Sequence, residues 1–249
     1  MHNSKGVFVL MAISLLAFLG TASAGQFGAP EPAATSGYFS VGGGYFYNSD
    51  NLELSSNSQD YNFTQNQAYL QLGVAYKQIE FYIRGGAADI EFENAFPNGN
   101  FNDDFKAFGT MGVKGFFDIT KYFGIGLFAQ GSLFSTYESQ STGLVGGVST
   151  TIKMEIKSLS EVDVGLMIQG KIENICLYAG PFLYWTHADL ETTTTRLGLS
   201  SSSSTNLDQT NNLGVVAGIR IPIYGKINLE IEGQYRQEFS AGGAITYSF

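Results

Sequence analysis

Most of this chain is written in short segments whose apolar and polar side chains alternate. A period of two marks a strand with one apolar face. Over 213–221, Leu213, Val215, Ala217, Ile219 and Ile221 share one face, and Val216, Gly218 and Arg220 take the other. Over 227–236, Ile227, Leu229, Ile231, Gly233 and Tyr235 oppose Asn228, Glu230, Glu232, Gln234 and Arg236. The last residues repeat the pattern, with Ala241, Gly243, Ile245, Tyr247 and Phe249 against Gly242, Ala244, Thr246 and Ser248. A strand at an open edge leaves backbone groups unpaired, and closing the sheet into a ring removes that edge.

The start of the chain says where such a ring would sit. Residues 7–19 form a nearly unbroken apolar run behind Lys5, and Ala22, Ser23 and Ala24 suit cleavage before Gly25. Residues 1–24 read as a secretory signal peptide. No second apolar stretch is long enough for a helical span. An exported chain of alternating segments separated by turn residues fits an all-β, antiparallel transmembrane β-barrel. A soluble β-sandwich would alternate in a similar way and is the plainer alternative. With 13 basic and 22 acidic side chains the formal net charge is -9, which disfavours nucleic acid as a partner. Cys176 is the sole cysteine, so no intrachain disulfide is expected.

Residues 25–36, small and proline-containing, are expected to be a periplasmic lead, followed by the barrel over 37–249. Connections between the alternating segments are by turns long and short. The long ones cover 48–66, 89–105, 136–158 and 188–210, are rich in Asn, Ser and Thr, and read as solvated loops. The serine- and threonine-rich stretch 188–210 in particular reads as exposed and mobile. The short ones fall near 77–79, 118–121, 170–174 and 224–226. Within 136–158, Ile152, Met154 and Ile156 alternate with Lys153, Glu155 and Lys157. Making 144–157 a full spanning strand would give an odd count, so it is assigned to an extension or hairpin. The expectation is ten strands, with eight and twelve open, both termini periplasmic and the long loops extracellular.

The second face carries charge. Glu80, Arg84, Lys114, Glu161, Asp163, Arg220, Glu230, Glu232 and Arg236 all fall on it. An Arg or Lys facing lipid at mid-depth costs about 2–4 kcal/mol, whereas an inward charge can pair. A tight turn at 224–226 would set Arg220 opposite Glu230, a mildly favourable cross-strand pair. Phe46, Phe116, Phe128, Tyr178 and Tyr184 share this inward face and crowd it. A narrow barrel is filled by such side chains. The favoured reading is a lumen held by ion pairs, and the alternative is a narrow pore whose charges select solute. Tyr45, Tyr47, Tyr76, Phe117, Phe123, Trp185, Tyr235, Tyr247 and Phe249 lie toward strand ends, where aromatic rings suit the headgroup level.

Catalytic signals are sparse. Beyond the leader there is one histidine, His187, with Asp189 two residues on; with Ser135 these would be the candidates for a rim hydrolase, and nothing in the sequence brings them together. No Gly-x-Ser-x-Gly elbow, His-Glu-x-x-His pair or phosphate-binding loop appears. No metal or cofactor is expected, and no enzymatic activity.

The leader, the alternation and the terminal Tyr247-Ser248-Phe249 together resemble the small bacterial outer-membrane β-barrel proteins, the group of the OmpA-type barrel, OmpX, OmpW and the opacity proteins. The resemblance covers 37–249 in architecture. It implies outer-membrane lipid and lipopolysaccharide as surroundings, and an assembly machinery that reads Tyr247 and Phe249. It also implies a structural or surface-interaction role with an unidentified extracellular partner, or else a narrow solute channel. It carries no binding residue across.

Overall fold

The computed structural model describes residues 26–34, 37–54, 60–97, 99–209 and 211–249, so the signal peptide expected at 1–24 lies outside the described residues. Twelve strands follow in chain order: β1 (Phe39–Leu54), β2 (Asp60–Tyr76), β3 (Ile79–Phe96), β4 (Gly99–Thr120), β5 (Phe123–Phe134), β6 (Tyr137–Val145), β7 (Val148–Ile172), β8 (Ile175–Arg196), β9 (Leu199–Gln209), β10 (Leu213–Tyr224), β11 (Ile227–Tyr235) and β12 (Phe239–Ser248). Ten of them form a closed antiparallel ring in the order β1, β2, β3, β4, β5, β7, β8, β10, β11, β12 and back to β1. Closure is made by Ser40 opposite Ser248 through Tyr47 opposite Ala241. The ring is thus the ten-strand barrel that the alternation called for.

β6 and β9 are not members of this ten-strand ring, although β9 also pairs with the far end of β1, Leu52 opposite Gln209 to Leu54 opposite Leu207. β6 pairs with the first part of β7, and β9 pairs with the far part of β8. Because Thr150 to Lys157 of β7 also pair with Arg196 to Asp189 of β8, the four segments make one extension sheet above the barrel. The hairpin expected in 136–158 is therefore present, as β6 and the start of β7.

The other long connections differ from expectation. β1 and β2 pair out to Glu53 opposite Asp60, and β3 and β4 out to Phe96 opposite Gly99. Most of 188–210 is a hairpin rather than a mobile loop. Its ladder runs from His187 opposite Asp208 to Arg196 opposite Leu199, turning at Leu197 and Gly198, both at positive φ. Threonine is β-branched and suits a strand even in a low-complexity run. Here Thr193 and Thr195 share hydroxyl hydrogen bonds with Ser202 and Ser200 at 2.9 and 2.8 Å. A membrane crossing needs only about 9–11 residues of strand. β7, at 25 residues, extends well beyond one crossing.

The barrel's two faces follow the pleat. Outward, Leu70, Leu72, Ile83, Met111, Leu127, Leu166, Val215 and Ile231 are all exposed. An apolar band of that extent in water would exceed what soluble monomers show. In lipid it is the required exterior. Exposed aromatics gather at both ends of the wall. Tyr76, Phe117, Tyr122, Tyr224, Tyr247 and Phe249 lie at the end with the short turns, and Tyr47, Trp185, Tyr235 and Phe239 at the end bearing the extension. Inward, the side chains are buried and largely polar.

The expected lead at 25–36 is revised where it is described. Residues 26–34 lie inside the ring, with Gln26, Phe27, Ala29 and Ala34 almost wholly buried. The segment enters at the turn end, joins no ladder, and fills space that the small inward residues of β5 leave. A Cβ on Gly126 would meet the Pro30 ring at 2.1 Å.

Candidate functional site

The lumen is the candidate site, because the pleat sends every inward charge to it. All nine expected side chains are there: Glu80, Arg84, Lys114, Glu161, Asp163, Arg220, Glu230, Glu232 and Arg236 are each at most 8% exposed. They sort into separate groups. Arg220 and Glu230, opposite each other on β10 and β11, meet at 2.5 Å. Arg236 binds Glu161 through both terminal nitrogens, at 2.8 and 3.1 Å, with Asp163 at 3.4 Å and Asp50 at 3.8 Å. Its guanidinium lies over the Tyr184 ring at 4.4 Å. Lys114 faces Glu80 at 3.7 Å. Arg84 is sandwiched between the rings of Tyr69 and Tyr82 and donates to Gln71 at 2.6 Å. Gln130 links the groups by accepting from the Tyr82 hydroxyl and donating to Asp163.

The tally of charge explains the inner segment. Six buried acids, including Asp50, face four buried bases. Among the described residues, Glu232 has no basic side chain as a hydrogen-bond partner. It accepts from three consecutive backbone N–H groups, those of Gln26 at 2.8 Å, Phe27 at 3.1 Å and Gly28 at 2.8 Å. The Tyr178 hydroxyl and the Gln234 amide add two more donors at 3.0 Å each. Successive N–H groups converging on one anion form a nest. The conformation requires Gly28, whose φ is +71° and whose Cβ would lie 2.3 Å from a Glu230 carboxylate oxygen.

The rest of the segment is held as closely. Its carbonyls accept from wall arginines: Gln26 from Arg84, and Ala29 and Glu31 from Arg220 at 3.3 and 2.7 Å. Phe27 packs on Phe128 and edge-on to Phe182, with centroids at 4.1 and 4.9 Å. Glu31 pairs with Lys171 at 2.7 Å and accepts from Gln169 at 2.9 Å. Ala33 donates to Glu80 at 2.7 Å and accepts from the Ser248 hydroxyl at 2.6 Å. Sequence reasoning missed residues 26–34. The signal available was the surplus of inward acids, together with an isolated Phe27 in an otherwise small, proline-bearing stretch.

At the opposite end the lumen is closed by an apolar cap. Phe63, Phe92, Phe101, Tyr137, Ile156 and Leu190 are central to it, drawn from the ends of β2, β3, β4 and the extension. The cavity left among them is about 20 Å³, room for about one water.

The rim residues are not assembled into a hydrolytic site. His187 contacts Asp208 at 2.8 Å through Nδ1 and Asp189 at 3.9 Å through Nε2, on the exposed outer face. The Ser135 hydroxyl donates to the Ala107 carbonyl at 2.8 Å and not to His187. Among the described residues no cluster of His, Cys, Asp or Glu is arranged to hold a metal. Tyr247 and Phe249, expected to mark the chain for assembly, touch edge to face at 5.0 Å on the exposed wall.

No protein-family model and no curated protein matches the chain. Among solved structures it is similar to the outer-membrane protease OmpT from Escherichia coli, at 10% identity and a TM-score of 0.44 over 89% of this chain and 100% of that one. It is also similar to the translocator domain of the autotransporter NalP from Neisseria meningitidis, at 7% identity and 0.46 over 86% and 90%. A mutant of the TodX monoaromatic hydrocarbon channel matches at 10% identity and 0.41 over 87% and 67%. These are likenesses of barrel architecture and transfer no residue's role.

Proposed function

We propose that the chain is a closed barrel of the bacterial outer membrane with a structural or surface-interaction role centred on its strand extension. One observation carries the reading. The lumen is occupied along its length, by residues 26–34 at the turn end, by the ion-paired side chains in the middle, and by the apolar cap at the extension end. A solute channel makes the opposite demand, a continuous wet path. The apolar exterior and the export-type leader support the location.

In this reading the short turns and both termini face the periplasm, and the extension reaches outward beyond the lipopolysaccharide-bearing surface. Tyr247 and Phe249 serve the assembly machinery. A rim hydrolase gains no support from this geometry: His187 and Asp208 form an exposed pair to which Ser135 brings no hydroxyl. The polar outer face of the extension, with Lys153 and Lys157 each bridged to glutamates, is the surface offered to a partner.

The test is current across a planar bilayer holding the purified protein. Silence is expected, together with protease cleavage of the extension on intact cells. Reproducible single-channel steps that change when Arg84 or Glu232 is replaced would overturn the reading in favour of a small solute channel.

A further inference from the structure

The contacts of residues 26–34 have the form of ligand recognition rather than of wall construction. The ring of ten strands is complete without them, since none of these residues enters a ladder. The wall grips the segment mostly through its main chain. Glu232 takes three N–H groups and Glu80 a fourth, while Arg84, Arg220 and Ser248 donate to its carbonyls. Main-chain contacts of this kind give affinity, and pockets for particular side chains give selectivity.

Four such selective positions are visible. Phe27 enters an aromatic slot between Phe128 and Phe182. Position 28 admits only glycine, because the backbone is left-handed and Glu230 closes the space. Pro30 rests on the bare backbone of Gly126. Glu31 meets Lys171 and Gln169 near the turn-end mouth.

We propose that the turn-end half of the lumen is a peptide-binding site for an extended segment of the pattern Phe-Gly-x-Pro-acid, and that residues 26–34 occupy it as a tethered, exchangeable ligand. The inference goes beyond the closed-barrel reading and can fail without it, since a permanently bound segment would also keep the barrel shut. A short tether holds its own ligand at an effective concentration on the order of millimolar. A free peptide therefore competes poorly until the tether is cut.

The experiment uses the full chain with a protease recognition sequence inserted ahead of the exposed Gly37 and Tyr38. A fluorescent synthetic peptide with the sequence of residues 26–34 is the probe. After cutting, the probe should bind saturably and the native segment should appear free by mass spectrometry, whereas the uncut protein should take up none. A probe carrying Phe27→Ala should bind roughly tenfold or more weakly, because it loses a buried aromatic side chain. A scrambled probe should not bind. Retention of the cut segment and exclusion of the probe, with the barrel still folded on a heat-modifiability gel, would overturn the proposal. Should the inserted site resist cutting, the full-length double variant Phe27→Ala, Gly28→Val replaces it. Its own segment should become protease-sensitive and the wild-type probe should bind. A folded double variant that binds no probe would equally sink the idea.

Discussion

The Arg220–Glu230 pair offers the sharpest measurement of what the filled lumen contributes. Both side chains are 7% exposed and their atoms meet at 2.5 Å. Arg220→Leu leaves the Glu230 carboxylate buried without that partner, and breaking a buried pair from one side costs about 3–5 kcal/mol. It also removes the donors to the Ala29 and Glu31 carbonyls. Glu230→Leu should cost less, because Arg220 keeps both carbonyl acceptors. In the double variant the uncompensated charge is gone, but the carbonyl bonds remain lost, at about 1–3 kcal/mol together. A coupling energy of about 3 kcal/mol or more is therefore expected, at or above the upper end for residues in direct contact. Denaturant unfolding in lipid vesicles supplies the four stabilities, with Trp185 as the reporter. It is the sole tryptophan and lies on the exposed wall, away from the pair. A coupling below about 0.5 kcal/mol, the range found for independent sites, would refute the argument.

Three further outcomes are expected. Gly28→Val should dislodge residues 26–34, since it adds a side chain at a positive φ against Glu230; limited proteolysis should then release fragments from this segment, and unchanged protection would contradict the geometry. Phe249→Ser should lower the amount of folded protein in membranes by more than one exposed ring's packing explains, and equal amounts would remove the assembly role given to the terminal residue. In the extension, hydrogen bonds from Lys153 and then Lys157 hold the Glu155 carboxyl below its ordinary range. A depressed carboxylate contributes stability above its unfolded value and loses it as pH falls through the folded one, so the protection of β7 backbone amides near Glu155, measured relative to an isolated peptide at the same pH, should fall as the pH is lowered; unchanged protection would show that the pairs contribute nothing.

The wall was legible because a strand's period is two and lipid punishes error. Leu213, Val215 and Ile231 had one place to go, and Arg220, Glu230 and Glu232 the other. The same parity put Phe46, Phe128 and Tyr184 in the lumen before any contact was known. Two features escaped it. Thr192 to Thr195 and Ser200 to Ser204 carry no apolar alternation, so only their cross-strand hydroxyl pairs and the Leu197-Gly198 turn reveal a hairpin. Residues 26–34 carry no period either. Their partners lie as far as 215 positions away, from Ala33 to Ser248, and pairing at that distance leaves no local trace. The grouping of charges was similarly hidden: Arg220 with Glu230 follows from adjacent strands, whereas Arg236 with Glu161 depends on side chains meeting across the lumen.

Ring closure has a consequence for how the chain could be re-threaded. β1 and β12 are neighbours, and the Phe249 amide donates to the Phe39 carbonyl at 2.9 Å. The wall accordingly has no privileged break. A circular permutant that joined the two ends and opened instead at the short turn after Tyr224 would preserve every ladder of the barrel. What it would change is residues 26–34, which would become an internal stretch of the linker between β12 and β1, fastened at both sides. Where the chain is cut thus leaves the ladders of the cylinder unchanged and is decisive for its contents.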